Sequence, residues 1–325
     1  MSDGKFPVEL YKRSKLEYRQ LADGQFTHNF ERDLHLFILW ENGRYKQKQV
    51  MEQLSEDYKI LYCAEIKWSS RHIEANLNRL YRSEIASKNR KHEVVGGGPF
   101  LCIVVEDEEP EYGFSRSLDG TISMSNLNVV RAKHSLRSLL NGNFVHSSSC
   151  ISEFFFQGTL LFHPELLQYI ISLEVWDRET HILQQDLAGA NGWESIEECI
   201  TVANLCSDYV ILRNFEYLPN NFWGNDSDID LLCSDDKAMR ATLNAQKRGW
   251  GIAAYQINVS GNSIPVDIRT LGDNYYDPLW QRDMLKRKVF HNQIIPRPSD
   301  EDYFFSLLYH CKLQKRTVKD KYVDI

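Results

Sequence analysis

The sequence predicts an α/β (α+β) chain of two sheet-containing domains, a ferredoxin-like α/β sandwich followed by a second sheet domain. Three observations predict it. Between Leu34 and Phe162, short apolar strands alternate with segments of helical period, the pattern of helices packed on a sheet. Between Tyr209 and Thr270, a second set of apolar strands brackets one helical segment. The 325 residues are enough for two domains. A hydrophobic content of 42% with 12% aromatics belongs to a folded chain rather than a disordered one.

Residues 1–30 are polar and aromatic, with Lys12, Arg13, Lys15 and Arg19 on a short helix. They read as an arm that packs on a domain or binds a partner. The first domain spans 31–172. Leu34–Trp40 is a strand, and Lys46–Glu56 is a helix with Val50, Met51 and Leu54 on one side. Lys59–Lys67 is the next strand, and Ser69 or Ser70 caps a helix through Leu80. The turn Gly96-Gly97-Gly98-Pro99 leads into the strand Phe100–Val105. Phe144-Val145 is a short strand and Ser152–Phe162 a helix. An apolar stretch, Leu166–Trp176, leads out, and the second domain spans 173–325. There Trp193–Asn204 reads as a helix, and Tyr209–Leu212 as a strand closed by Arg213-Asn214. Asp235–Lys247 reads as a helix and Gly249–Val259 as a strand. Ser260–Ser263 turns the chain into the strand Ile264–Thr270.

Charge and cysteines narrow the function. Thirty-eight basic against forty-five acidic residues give a net charge of −7, which excludes a broad nucleic-acid-binding surface. Seven cysteines lie scattered without a Cys-X-X-Cys pair. This suits reduced thiols and a cytoplasmic location better than disulfides or zinc. No window reaches the roughly 18 uninterrupted apolar residues of a membrane span. The nucleophile elbow and the Gly-rich dinucleotide and phosphate loops are absent.

The chemistry centres on Gly224-Asn225-Asp226-Ser227-Asp228-Ile229-Asp230-Leu231-Leu232. Strand side chains alternate between faces, so Asp228 and Asp230 point one way and Ile229 and Leu231 the other. Asp267, in Val266-Asp267-Ile268-Arg269, completes a three-carboxylate cluster if its strand lies beside theirs. Like charges so placed repel unless a cation sits among them. Hard carboxylate oxygens suit Mg²⁺ or Mn²⁺, and two metals there would clamp the oxygens of a phosphoryl or nucleotidyl transfer. The plainer alternative is an acidic loop cap at Asp226, Asp228 and Asp230. The stretch Asn204–Arg269 resembles the nucleotidyltransferase superfamily, whose mixed-sheet core carries an Asp-hydrophobic-Asp pair and a later third acid. The resemblance implies a nucleotide donor, Asp228 and Asp230 as metal ligands, and Asp267 as a further ligand or a base toward an acceptor hydroxyl. Where that superfamily has a Gly pair after the first strand, this chain has Arg213-Asn214, which we expect to hold phosphate, with Lys312 as a second clamp. Lys312 and Lys315 share a face and otherwise belong to a solvated surface. Tyr275, Tyr276 and Trp280 form either a platform for a base or sugar ring or ordinary loop packing.

A second set of motifs runs through the first domain. Glu31-Arg32 precedes the opening strand, and Gly98-Pro99 precedes a strand ending in Glu106. Arg116 stands before Ser117-Leu118-Asp119-Gly120, Leu136-Arg137 follows, and then Asn143-Phe144-Val145-His146-Ser147-Ser148-Ser149. From Glu31 to Leu167 their order resembles the nucleoside diphosphate kinase family. The resemblance implies His146 as a phosphorylated nucleophile, Arg116 and Arg137 as phosphate contacts, and Asn143 as a sugar contact. Glu153 and Gln157 compete to orient the histidine. The family's phosphate-binding Lys falls on Leu39–Asn42, which has none, so this domain reads as degenerate. The strings around Val266–Arg269 and Tyr303–His310 also look like nucleotidyltransferase-type proteins of surface-polysaccharide gene sets. The implied function is a cytoplasmic, Mg²⁺-dependent transferase acting on a sugar or sugar-phosphate acceptor. The alternatives are a non-catalytic nucleotide- or partner-binding module and phosphotransfer through His146. The ending at Lys321–Ile325 lacks a closing element and leads us to expect a further C-terminal domain.

Overall fold

The computed structural model describes residues 32–83, 91–116, 120, 122–219, 228–249 and 254–315. The arm at 1–30, Glu31, Ser117–Asp119, Gly224–Ser227, positions 250–253 and the stretch from Arg316 lie outside the described residues. The architecture is mixed α/β in two units, the first ending at Ala188 and the second beginning at Gly189.

Strands β1 (Leu34–Leu39), β2 (Lys59–Ile66), β3 (Phe100–Glu106), β6 (Val145–Ser147) and β7 (His181–Leu183) form the first sheet, in the order β6-β1-β3-β2-β7. Pairings β1–β3, β2–β3 and β1–β6 are antiparallel, whereas β2–β7 is parallel. One face, with Phe37, Leu39, Cys63, Leu101 and Ile103, packs on α1 (Gln47–Asp57) through Val50 and Leu54. The same cluster takes in Val129, Ala132 and Leu136 of α4 (Leu127–Leu139). The other face carries Ile38 and Val104, and α5 (Ile151–Ser172) packs on β1. Helices α2 (Ile73–Leu80) and α3 (Lys91–Val95) connect β2 to β3.

Three expectations are corrected here. Ser69 caps no helix: its Oγ donates to Asp186 at 2.7 Å, and α2 begins without a side-chain cap. Helix α5 runs ten residues beyond Phe162, across a break at His163, whose φ of 63° precedes Pro164. Residues 166–172 of the expected exit stretch Leu166–Trp176 are therefore the last turns of α5, with Leu167 and Ile170 buried. The chain then returns to pair β7 with β2, and Asn76 donates to Asp186 at 2.9 Å. These contacts move the boundary from 173 to the Ala188–Gly189 junction.

The hairpin β4 (Tyr112–Arg116) and β5 (Ile122–Asn126) leads into α4. Asn126 organises this junction. Its Oδ1 accepts from the Asn128 and Val129 amides, and its Nδ2 donates to Asp107 at 2.8 Å and Asp33 at 3.2 Å. Asn126→Ala removes the cap and leaves buried carboxylates short of donors. It is expected to cost about 2 kcal/mol or more, read as a lower denaturant midpoint at constant slope.

In the second unit, β8 (Tyr209–Arg213), β9 (Ile229–Cys233), β10 (Gln246–Lys247), β11 (Ala254–Val259) and β12 (Asn262–Thr270) assemble in the order β10-β11-β12-β9-β8. Pairing β9–β12 is parallel and the others antiparallel. Helix α6 (Ile196–Cys206) starts at the Ser195 cap, not at Trp193, whose amide instead donates to the Asn258 carbonyl in β11. Helix α7 (Asp236–Leu243) stops where Asn244 turns left-handed at φ 52°, so Gln246-Lys247 become strand rather than helix. Trp280, expected in a loop, lies in helix α8 (Pro278–Lys286). Asp277 accepts from the Leu279 and Trp280 amides with Pro278 in the first turn, a helix start written in the sequence. A short hairpin, β13 (Val289–His291) and β14 (Ile295–Arg297), leads to α9 (Asp300–Tyr309), capped by Ser299.

Candidate active site

The parallel register sets Asp267 opposite Asp230 and Ile268 opposite Leu231. In-register residues of adjacent strands share a face, so Asp228, Asp230 and Asp267 emerge together. One carboxylate oxygen from each lies within 4.8 Å of the other two. Leu232, two residues on from Asp230, packs with Val210, Leu212, Met284 and Leu285, so the acids stand at the end of an apolar layer. Burial grades across the cluster: Asp228 is exposed, Asp267 half-buried and Asp230 8% exposed.

A bulge in β8 delivers Arg213 to this cluster by pairing it with Asp230. The guanidinium is 4% exposed and meets Asp230 Oδ2 through Nη2 at 2.8 Å and Nε at 3.1 Å. Nη2 also reaches the Tyr275 hydroxyl at 3.4 Å, while Nη1 is buried without a hydrogen-bond partner. Among the described residues, the one guanidinium paired with these three carboxylates leaves an excess of two negative charges. Burial, reinforced by Asp228 and Asp267 and opposed by Arg213, pushes the Asp230 carboxyl up to about 6. The donor set suits a hard divalent cation: three oxygen donors within one ion's reach, uncompensated charge, and an exposed acid at the entrance.

Other expected residues fall differently. Arg213 holds Asp230 rather than standing free as a phosphate clamp. Asn214, left-handed at φ 63°, donates to the Asp228 carbonyl at 3.3 Å and so anchors the backbone. Lys312 is exposed on the turn His310–Gln314, and among the described residues no hydrogen bond or ion pair joins it to the acids. Tyr276 is buried in the apolar layer, and the Trp280 indole donates to Asp302 at 2.9 Å. Of the aromatic trio, Tyr275 meets Arg213 directly through its hydroxyl. Its ring carries the Arg269 guanidinium at 4.1 Å. Arg269 shares a strand face with Asp267, two residues away, a placement that alternation already contained.

In the first unit, His146 is 8% exposed on the edge strand β6. The Gln157 amide donates to its Nε2 at 2.8 Å, and Glu153 lies 4.0 Å from the same atom. Gln157 is thus the orienting group, and it also donates to Glu153 at 3.1 Å. Burial drives the imidazole down to about 4, with Glu153 opposing. Arg137 sits next to this histidine through the Val145 carbonyl at 3.2 and 3.1 Å. Arg116 and Asn143 are exposed, and among the described residues no hydrogen bond ties either to His146. Compared with known protein families, curated proteins and solved structures, the chain matches none.

Proposed function

We propose that the second unit is a Mg²⁺- or Mn²⁺-dependent transferase of nucleotidyl or phosphoryl groups, with a sugar or sugar-phosphate hydroxyl as acceptor. One observation carries this reading: three carboxylates from two parallel strands converge within 4.8 Å around an excess of negative charge. The cation, when bound, neutralises donor phosphates and the developing charge at the transferred phosphorus. Asp228 and Asp230 are its holders. Arg213 keeps the Asp230 carboxylate in one orientation. Asp267 is a further ligand or takes the acceptor hydroxyl's proton as that oxygen bonds to phosphorus and the donor's bridging oxygen departs. The sheet order with β9 parallel to β12 supports a nucleotidyltransferase-like mixed sheet. In the first unit, the order β6-β1-β3-β2 with antiparallel pairing supports a ferredoxin-like, nucleoside-diphosphate-kinase-like domain. The shielded, amide-bound His146 favours binding there over phosphotransfer. The motif phrasing adds a place in surface-polysaccharide assembly.

The test is Mn²⁺ binding by calorimetry, followed by a nucleotide panel with sugar phosphates. At a hundred times its dissociation constant, a ligand raises stability by about 2.7 kcal/mol. The thermal midpoint of the wild type is expected to climb with Mn²⁺. In Asp228→Asn that rise disappears while the unliganded fold persists, because Asp228 is exposed. A wild-type chain that takes up no Mn²⁺ would end this reading.

A further inference from the structure

Two helices and two strand ends of the first unit border a cavity of about 770 Å³. The last turn of α1 and Tyr58 form one wall, and α4 from Asn128 to Ser135 forms another. The start of β2 at Lys59 and the segment Asp107–Glu109 after β3 complete it. Five carboxylates line the cavity, on Glu56, Asp57, Asp107, Glu108 and Glu109. The lining cations are Lys59 and Arg131, which leaves an excess of three negative charges. Both cations are also drawn to acids outside the lining. Lys59 Nζ lies 3.3 Å from Glu106 and 4.0 Å from Glu108, and Arg131 donates to Glu111 at 2.6 Å. Among the described residues, no ion pair joins Glu56, Asp57 or Glu109 to a base.

The fold does little to offset this excess. Asp107 is buried, and its donors are the Glu109 amide and the side-chain amides of Asn126 and Asn128, all neutral. Helix α1 ends on Glu56-Asp57 with no basic residue in its last turn, whereas a helix C-terminus favours cations. A cleft lined by one sign of charge focuses the field and gathers counter-ions. Tyr58 points to a ligand independently of the acids. It is 8% exposed and lines the cavity, and among the described residues its hydroxyl makes no hydrogen bond. Burial, reinforced by Asp107 and Asp57, holds that phenol above its ordinary value, so it stays neutral and its oxygen can accept from an ammonium group. Among the described residues, these acids do not bring three oxygens within one ion's reach, as Asp228, Asp230 and Asp267 do. The cavity therefore suits separated cationic centres rather than one metal ion. Ala132 and Tyr58 supply apolar wall for the methylenes between such centres.

We propose that this cavity is a binding site for a linear polyamine, whose ammonium groups donate to the carboxylates of Glu56, Asp57, Glu108 and Glu109 and to the Tyr58 hydroxyl. The lining residues lie outside the motifs legible in the sequence. The site belongs to the first unit and stands or falls separately from the acidic cluster of the second.

The experiment is calorimetric titration of the full chain with spermidine and, as a monoamine comparison, butylamine. Both are run in excess Mg²⁺, so that loosely held counter-ions are displaced and the acids of the second unit are screened. Spermidine is expected to bind about tenfold more tightly than butylamine, or better. Tyr58→Phe keeps the ring and removes the acceptor. It should weaken spermidine about tenfold, as for other hydrogen bonds to charged groups, without lowering the unliganded thermal midpoint. Glu108→Gln with Glu109→Gln, both exposed, should weaken spermidine about tenfold or more and leave that midpoint near wild type. Loose surface attraction would respond to the lost charges but not to the lost hydroxyl. Absence of spermidine binding, butylamine binding as tightly, or wild-type affinity in either variant would overturn the proposal.

Discussion

Replacing Arg213 with alanine is expected to destabilise the second unit by about 3–5 kcal/mol, the usual cost of stripping one partner from a buried ion pair. Arg213 is 4% exposed and supplies both close contacts to Asp230 Oδ2. Without it, a nearly buried carboxylate faces Asp228 and Asp267 and has lost its own guanidinium partner. The double change Arg213→Ala with Asp230→Asn should recover much of the loss, since the amide carries no charge to strand. Mn²⁺ should rescue the single variant more than it raises the wild type, because the cation then replaces the lost charge. Urea denaturation of the three proteins, with and without Mn²⁺, measures both effects. An Arg213→Ala midpoint equal to wild type would mean that the ion pair does not hold the site.

Acidification is expected to weaken the first unit by about 3 kcal/mol as pH falls from 6.5 toward 4, the interval between the ordinary and buried values of His146. The sign follows from proton counts. In that interval the unfolded chain binds a proton at this histidine and the folded chain does not. The stabilisation is therefore complete above pH 6.5 and lost as pH drops through the interval. Glu153 acts in the same direction. Its carboxyl is held below the ordinary 4.5 despite burial, by His146 and the Ser149 donors, so its contribution also falls away in acid. His146→Gln keeps a polar side chain at the position and removes the titration. Hydrogen exchange of the β1 and β6 amides between pH 4 and 7 reads the local stability. A wild-type profile no steeper than that of His146→Gln would refute the assignment.

Periodicity carried most of the first sheet. Leu34–Leu39, Lys59–Ile66 and Phe100–Glu106 are apolar runs bounded by turn residues, and they occur where expected. Apolar period alone does not separate the end of a helix from a linker, and Leu167 and Ile170 belong to the helix. The β4–β5 hairpin has exposed or half-buried residues, including Phe114 and Ile122, and shows no clean alternation. Asp277-Pro278 is a helix start by its own chemistry, but the aromatic turn before it masked the signal.

The sequence by itself determined the acids and their shared face, because a strand's period of two places Asp228 and Asp230 together whatever surrounds them. It also determined the apolar runs that become the sheet cores. Only the tertiary structure decided that Asp267 lies in register with Asp230, that a bulge turns Arg213 inward, and that Gln157 meets His146. Those facts depend on strand pairing and helix packing between residues far apart in the chain, and local residue preferences hold no information about such distances.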